Sequence, residues 1–254
     1  MEADKNLSKE VLIDMAFAHH GKGNVEEAQN IYEKFIKSGF IDARVFSNLG
    51  VIYKDKGRLE EALDLTKKAI QIAPKYTSAY TNLGNILISM GRYEEAEKYT
   101  RKALQLNPNY DLAFINLGYV FVGLKKFEEA AEALKRSIKI NPNNHNTFAN
   151  LGTILIKLEK LKEAEDYTLK AININPNIAK YYFQLSAILS KQDDYSRALA
   201  MIKKALKLDP ENYIYQGELT RLKFIIEEVN KEMKKKKIKT FLPINPTVTK
   251  TPIT

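Results

Sequence analysis

Apolar residues return along this chain at intervals of four and three, which is the period of one face of an α-helix. In one stretch the series is Ala79, Leu83, Ile86 and Met90; further on, Ala113, Leu117, Val120 and Leu124 repeat it with the same spacing. Beside the first series lies a second, Tyr80, Gly84 and Leu87. Together they make an apolar face too wide for one partner, so each such helix needs neighbours on both flanks. No stretch alternates in the manner of a strand, and every element reads as a helix.

The prolines give the period. Pro74, Pro108, Pro142, Pro176 and Pro210 stand 34 residues apart without a slip. Aligning on them brings small residues into columns: Ala62, Ala96, Ala130, Ala164 and Ala198, then Ala69, Ala103, Ser137, Ala171 and Ala205. An aromatic followed by leucine recurs as Phe46/Leu49, Tyr80/Leu83, Phe114/Leu117, Phe148/Leu151 and Tyr182/Leu185. The next residue is Gly50, Gly84, Gly118, Gly152 or Ser186, small enough to let another helix come close. Each unit reads as two helices of roughly a dozen residues with short turns, and proline follows the second because it cannot continue it. Gly57 and Gly91 mark the turn between them, where Lys125, Glu159 and Asp193 take their place in later units. Those three turns are expected to be less permissive.

Over residues 43–210 these columns resemble the consensus of the tetratricopeptide repeat. The resemblance implies an all-α, right-handed superhelical solenoid of antiparallel helix pairs, with six repeats and a C-terminal capping helix. On that register the chain divides into an extension over 1–8, a degenerate first repeat over 9–42, and repeats over 43–76, 77–110, 111–144, 145–178 and 179–212. A capping helix over 213–237 and a flexible tail or linker over 238–254 complete it. In the first copy Ala28 holds the small column, Leu12 and Met15 replace the aromatic–leucine pair, Ala16 replaces glycine and Phe40 replaces proline. The segment from Tyr32 to Ala62 is also similar to the entry of repeat arms in marine cyanobacterial proteins. In the last helix Tyr215, Leu219, Leu222, Ile226, Val229 and Met233 hold one face. Its first half is expected to cap the stack; Val229 and Met233 extend past it, to curl back or to pair with another chain. The lysines at 234–237 are expected to end the helix, where cations suit its dipole.

In this family the first helices line a concave groove that holds an extended or helical segment of another protein. Carried over by column, the groove includes Asn48, Asn82, Asn116 and Asn150, continued by Gln184, with Asp14 at the amino-terminal end. An amide offers both a donor and an acceptor, so such a ladder can pair with a peptide backbone whatever its sequence. It resembles the asparagine ladder in the repeat arm of O-linked N-acetylglucosamine transferases; the competing reading is local hydrogen bonding or solubility. At roughly 1 kcal/mol per hydrogen bond the four asparagines supply about 4 kcal/mol, only millimolar affinity. Apolar neighbours must add the rest: Leu112, Ile115, Tyr119 and Val122, flanked by Ile88 and Ile156. These form an interaction patch if exposed together, and part of the core if they bury one another. Towards the ends the same columns carry Arg44, Lys54, Asn85, Lys180 and Lys191. The clamp of lysines, arginine and asparagines that holds chaperone tails is not reproduced, because its basic columns hold mostly Ser, Thr, Ile, Ala and Asn.

Charge and composition narrow the function further. The formal net charge is +9, distributed as −3 over 1–42, +8 over 43–210 and +4 over 211–254. That is too diffuse to announce nucleic acid, although the basic repeats leave weak, salt-dependent binding as a third reading. No cysteine is present, so thiolate metal sites and disulfides are excluded and a cytoplasmic setting is expected. The first residues lack the apolar core of a secretory signal, and no apolar run is long enough to span a membrane. His19, His20 and His145 have no companions at ligand or triad spacing, and no phosphate-binding glycine loop occurs. The acidic pairs Glu60/Glu61, Glu94/Glu95 and Glu128/Glu129 open second helices, where they favour the dipole. The sequence therefore predicts a non-catalytic scaffold with no cofactor, no metal and no small-molecule substrate, binding a protein or peptide. The alternative is the substrate-recruiting arm of a larger glycosyltransferase, sulfotransferase or oxygenase.

Overall fold

The structure is a computed structural model that describes residues 8–240, with side chains through Met233. Most of the expected extension over 1–8, the tail beyond Thr240 and the side chains of Lys234–Lys237 lie outside the described residues. The described residues form thirteen α-helices and no strand, the all-α class expected from the sequence. The chain divides into two compact units, ending and beginning at Lys160 and Leu161.

The first unit holds α1 (Lys9–Gly21), α2 (Val25–Lys37), α3 (Ala43–Asp55), α4 (Leu59–Ile72), α5 (Thr77–Ser89), α6 (Tyr93–Leu106), α7 (Asp111–Gly123), α8 (Phe127–Ile140) and α9 (His145–Lys157). Consecutive helices pack on one another throughout it, and α3, α5 and α7 also touch in series. Side chains start several helices: Ser8 accepts from the Val11 amide, Asp42 from the Arg44 amide and Asn144 from the Thr147 amide, each satisfying an otherwise orphan N–H.

The small columns are required by close approach. A Cβ added to Gly50 would stand 2.4 Å from Thr66 Oγ1 and 3.1 Å from the Ala62 carbonyl oxygen; one added to Gly84 would stand 2.4 Å from Thr100 Oγ1. The aromatic column fills the space this leaves, with Phe46 packed among Ala43, Ala69 and Ala79, and Tyr80 among Ala103 and Ala113. Burying such apolar surface contributes about 25 cal/mol per Å². Within the first unit the helix pairs therefore cohere by stacking, each completing the core of the one before.

The turns without glycine keep the glycine conformation. Lys125, Glu159 and Asp193 have φ of 60°, 58° and 60°, against 76° at Gly57 and 73° at Gly91. The same hydrogen bonds close both kinds of turn: Arg58 N to Tyr53 O at 2.8 Å, and Lys126 N to Phe121 O at 2.8 Å. The side chains thus bear the strain, at about 1–2 kcal/mol per left-handed residue, and the turn does not open.

The second unit holds α10 (Leu161–Ile174), α11 (Ala179–Lys191), α12 (Tyr195–Leu208) and α13 (Tyr213–Thr240), each packed on the next. Ser186 takes the glycine column, its hydroxyl donating to the Ala198 carbonyl at 2.9 Å. Tyr215 and Leu222 of α13 are buried, the Tyr215 ring lies 5.0 Å from Phe183, and Arg221 donates to Ser190 Oγ at 2.9 Å. Val229 and Met233 are exposed. One expectation is corrected: α13 does not end at Lys237 or give way to a tail at Ile238 but continues to Thr240. Lysine is a good helix former, and the first proline beyond is Pro243.

Candidate protein-interaction face

The four candidate asparagines stand on successive odd helices of the first unit, and each donates one amide N–H inside the protein. Asn48 donates to the Tyr32 hydroxyl at 3.3 Å, Asn82 to Ser47 Oγ at 2.9 Å, Asn116 to the Thr81 carbonyl at 2.8 Å, and Asn150 to the Tyr119 hydroxyl at 2.7 Å. Asn82 and Asn116 reach back to the residue just before the preceding asparagine, so they clip α5 to α3 and α7 to α5. Asn116 is only 5% exposed. Asn48, Asn82 and Asn150 are half-buried as whole residues. Tyr32 is buried, which pushes its hydroxyl pKa up, and the same oxygen lies 3.2 Å from His20 Nδ1. Ser47, Thr81 and Tyr32 belong to this arrangement and were missed from sequence. For Ser47 and Thr81 the only signal was a small polar residue immediately before an asparagine.

The apolar candidates do not bury one another. On α7, Leu112 is 46% exposed, Tyr119 41% and Val122 38%, with Ile115 half-buried between them. Ile88 on α5 and Ile156 on α9 are half-buried. Ile88, Val122 and Ile156 occupy one column at 34-residue spacing, so an apolar bar crosses three helices where it meets the α7 stripe. The surroundings carry little charge. Ser78, Asn82 and Asn85 line α5; Asn146, Asn150 and Thr153 line α9. The carboxylate of Asp111 at the start of α7 accepts from Asn141 Nδ2 at 2.9 Å.

The basic candidates of this unit are already engaged. Arg44 is held by Asp42 through Nε at 3.0 Å and Nη2 at 2.8 Å, and its guanidinium lies 5.2 Å from the centre of the Phe17 ring. Those hydrogen bonds hold the Asp42 carboxyl below its ordinary pKa, against burial, with the Arg44 amide assisting. Lys54 bonds Asn85 Oδ1 at 2.9 Å and Asp55 at 2.9 Å. Lys180, Gln184 and Lys191 stand on α11 in the second unit. Asp14, on α1, is exposed. Among the described residues no group of three His, Asp or Glu is placed to hold a metal ion, and no helix is long and apolar enough to cross a membrane.

Helix pairs stacked in this way define the tetratricopeptide repeat class. The chain belongs to this family: it matches the family model described as the cilia and flagella-associated protein 70 C-terminal domain over residues 2–225. Solved structures share the fold. A chain of the Cut9–Hcn1 hetero-tetramer of the APC/C is 16% identical, with a TM-score of 0.77 over 85% of this chain and 43% of its own. The present chain thus spans less than half of that one. PilF of Pseudomonas aeruginosa is 22% identical, with a TM-score of 0.70 over 84% of this chain and 97% of its own. YrrB, described as a TPR protein with an unusual peptide-binding site, is 24% identical, with a TM-score of 0.56 over 73% of this chain and 96% of its own. No curated protein matches the chain.

Proposed function

We propose that this chain is a non-catalytic scaffold that holds a peptide or protein segment on the face of its first helices. The observation that carries the reading is the exposure of Leu112, Tyr119 and Val122 on α7 between polar, uncharged neighbours. Interface cores are depleted in charge and enriched in aromatic residues, and this patch has both properties. The half-buried residues Asn48, Asn82, Asn150 and Asn85 supply hydrogen bonds around it, and Asn116 braces the stack beneath. Arg44 and Lys54 serve at the margin of this face in the first unit, and Lys180 and Gln184 belong to the first-helix column of α11 in the second. The proposal keeps the six-repeat division over 9–212, with α13 (Tyr213–Thr240) after the last repeat. Val229 and Met233 offer a bare surface for self-association. A cytoplasmic setting belongs to the same proposal and rests on the cysteine-free sequence.

The relatives' descriptions agree in kind, since one names a peptide-binding site and another a hetero-tetramer. A second reading, the recruiting arm of a larger protein, draws support from the matched family being described as a C-terminal domain. A photo-reactive benzoylphenylalanine at position 119, compared with one at the exposed Glu132 of α8, tests the site. The proposal expects a cross-linked protein at 119 that is absent at 132. The same products from both positions would remove the first-helix face from consideration.

A further inference from the structure

The form of the α7 stripe bears on what lies against it. Leu112, Ile115, Tyr119 and Val122 are spaced three, four and three residues apart. That is the a/d spacing of a coiled-coil seam, and here it lies outside the core formed by Ala113, Leu117, Val120 and Phe121. Resting on the proposed function, we infer that the occupant of this face is an α-helix of a partner protein that lies along α7. Its aliphatic residues repeat at the same three-and-four spacing and its flanks are uncharged.

Distance favours a helix over an extended segment. From Leu112 to Val122 the stripe makes ten steps, about 15 Å at 1.5 Å per residue. A helix with a matching seam places four anchors over the same length. An extended peptide places same-side residues about 6.7 Å apart, so four anchors span about 20 Å and run out of register by one side chain. Charge restricts the occupant in the same direction. Ser78, Asn82, Asn85, Asn146, Asn150 and Thr153 flank the seam without a formal charge. A charged face would lose hydration there and meet only Lys54, already held by Asn85 and Asp55, and Asp111, already held by Asn141. Tyr119 is already oriented by Asn150, 2.7 Å from its hydroxyl. An aromatic anchor set before binding costs less entropy to use.

Three synthetic peptides read by fluorescence anisotropy with the intact chain test the inference. The first is a 14-residue helix with leucine at the a and d positions and glutamine or alanine elsewhere. The second has the same composition in scrambled order. The third keeps the leucine positions and carries a central proline that breaks the helix. The expected result is that the first binds at least tenfold more tightly than the other two. Its affinity should change less than twofold between 50 and 500 mM salt and fall at least tenfold with Leu112→Glu/Tyr119→Glu, whose folding is checked by circular dichroism. Equal binding of the proline peptide, lost in that variant, would overturn the helical occupant and leave the face itself standing. Binding unaffected by the variant would overturn both the inference and the proposed face. Equal binding of the scrambled peptide, or no binding of the first at millimolar concentration, would overturn the seam.

Discussion

Replacing Asn116 separates a brace from a grip. Its amide donates to the Thr81 carbonyl at 2.8 Å, and the residue is 5% exposed. Asn116→Ala removes one hydrogen bond, about 1 kcal/mol net, without orphaning Thr81, whose carbonyl lies within α5. Truncating the buried side chain adds about 1 kcal/mol, so the expected loss is about 2 kcal/mol, or about 4–8 °C in Tm for a chain of this size. Asn116→Asp should cost more, about 3–5 kcal/mol, because it sets a buried carboxylate against a carbonyl oxygen. Burial raises the folded pKa of that new carboxyl above its unfolded value. The variant therefore recovers stability as pH falls from 7 towards 4 and loses it again as pH rises. Asn150→Ala, whose partner Tyr119 is exposed, should cost less than about 0.5 kcal/mol. Thermal and urea unfolding followed at 222 nm measure the global effect. Amide exchange in α5 and α7 localises it, since repeat stacks need not unfold in one step. If Asn116→Ala and Asn150→Ala leave stability equal, with α5 and α7 equally protected, the brace is refuted.

Four further substitutions probe the physics of the repeat. Lys125→Gly relieves a residue held at φ 60° and should raise stability by about 0.5–1 kcal/mol; a fall in Tm would contradict a strained turn. Thr66→Val removes a hydroxyl that donates to Ala62 O at 2.8 Å, whereas Thr100→Val removes one that is buried with no partner. The first should destabilise by about 1 kcal/mol and the second be neutral or stabilising, so denaturation midpoints that move together would deny the distinction. Asp42→Ala deletes the cap of α3 and should cost about 1 kcal/mol at pH 7. Because the folded pKa of Asp42 is depressed, its contribution is present above the unfolded value near 4 and is lost as pH falls through the folded value. The gap between parent and variant should therefore close only in acid, and a gap that persists unchanged at pH 2 counts against the ion pair.

The repeat was legible because its cause is steric and local. Proline ends a helix wherever it stands, and Gly50 and Gly84 are small because Thr66 and Thr100 press on them. Local hydrogen bonding stood as the competing reading of the asparagines, but the partner of each was not legible. A column states that four residues share a face but not where each amide points, and its partner changes from phenol to hydroxyl to backbone carbonyl. The turns were legible only in part. Losing glycine at Lys125, Glu159 and Asp193 pointed to less permissive turns, but not to the left-handed conformation that the closing hydrogen bonds keep in place. The α7 stripe could be drawn from sequence as a set of residues, while its exposure depended on how far α5 and α9 cover it.

The division of labour on the first helices follows from these facts. An asparagine ladder that gripped a backbone would serve any partner equally, and four such bonds reach only about millimolar affinity. With Asn116 buried and Asn48, Asn82 and Asn150 each already making one bond, the amides fix the spacing between α3, α5, α7 and α9 and leave little for discrimination. Under the proposed function, discrimination falls to the side chains that differ from repeat to repeat. Position 112 is leucine where its neighbours in the column are Ser78 and Asn146, and position 119 is tyrosine where they are Asn85 and Thr153. A repeat that is alike in its buried columns and unlike in one exposed stripe has the rigidity of a scaffold and the selectivity of a single site.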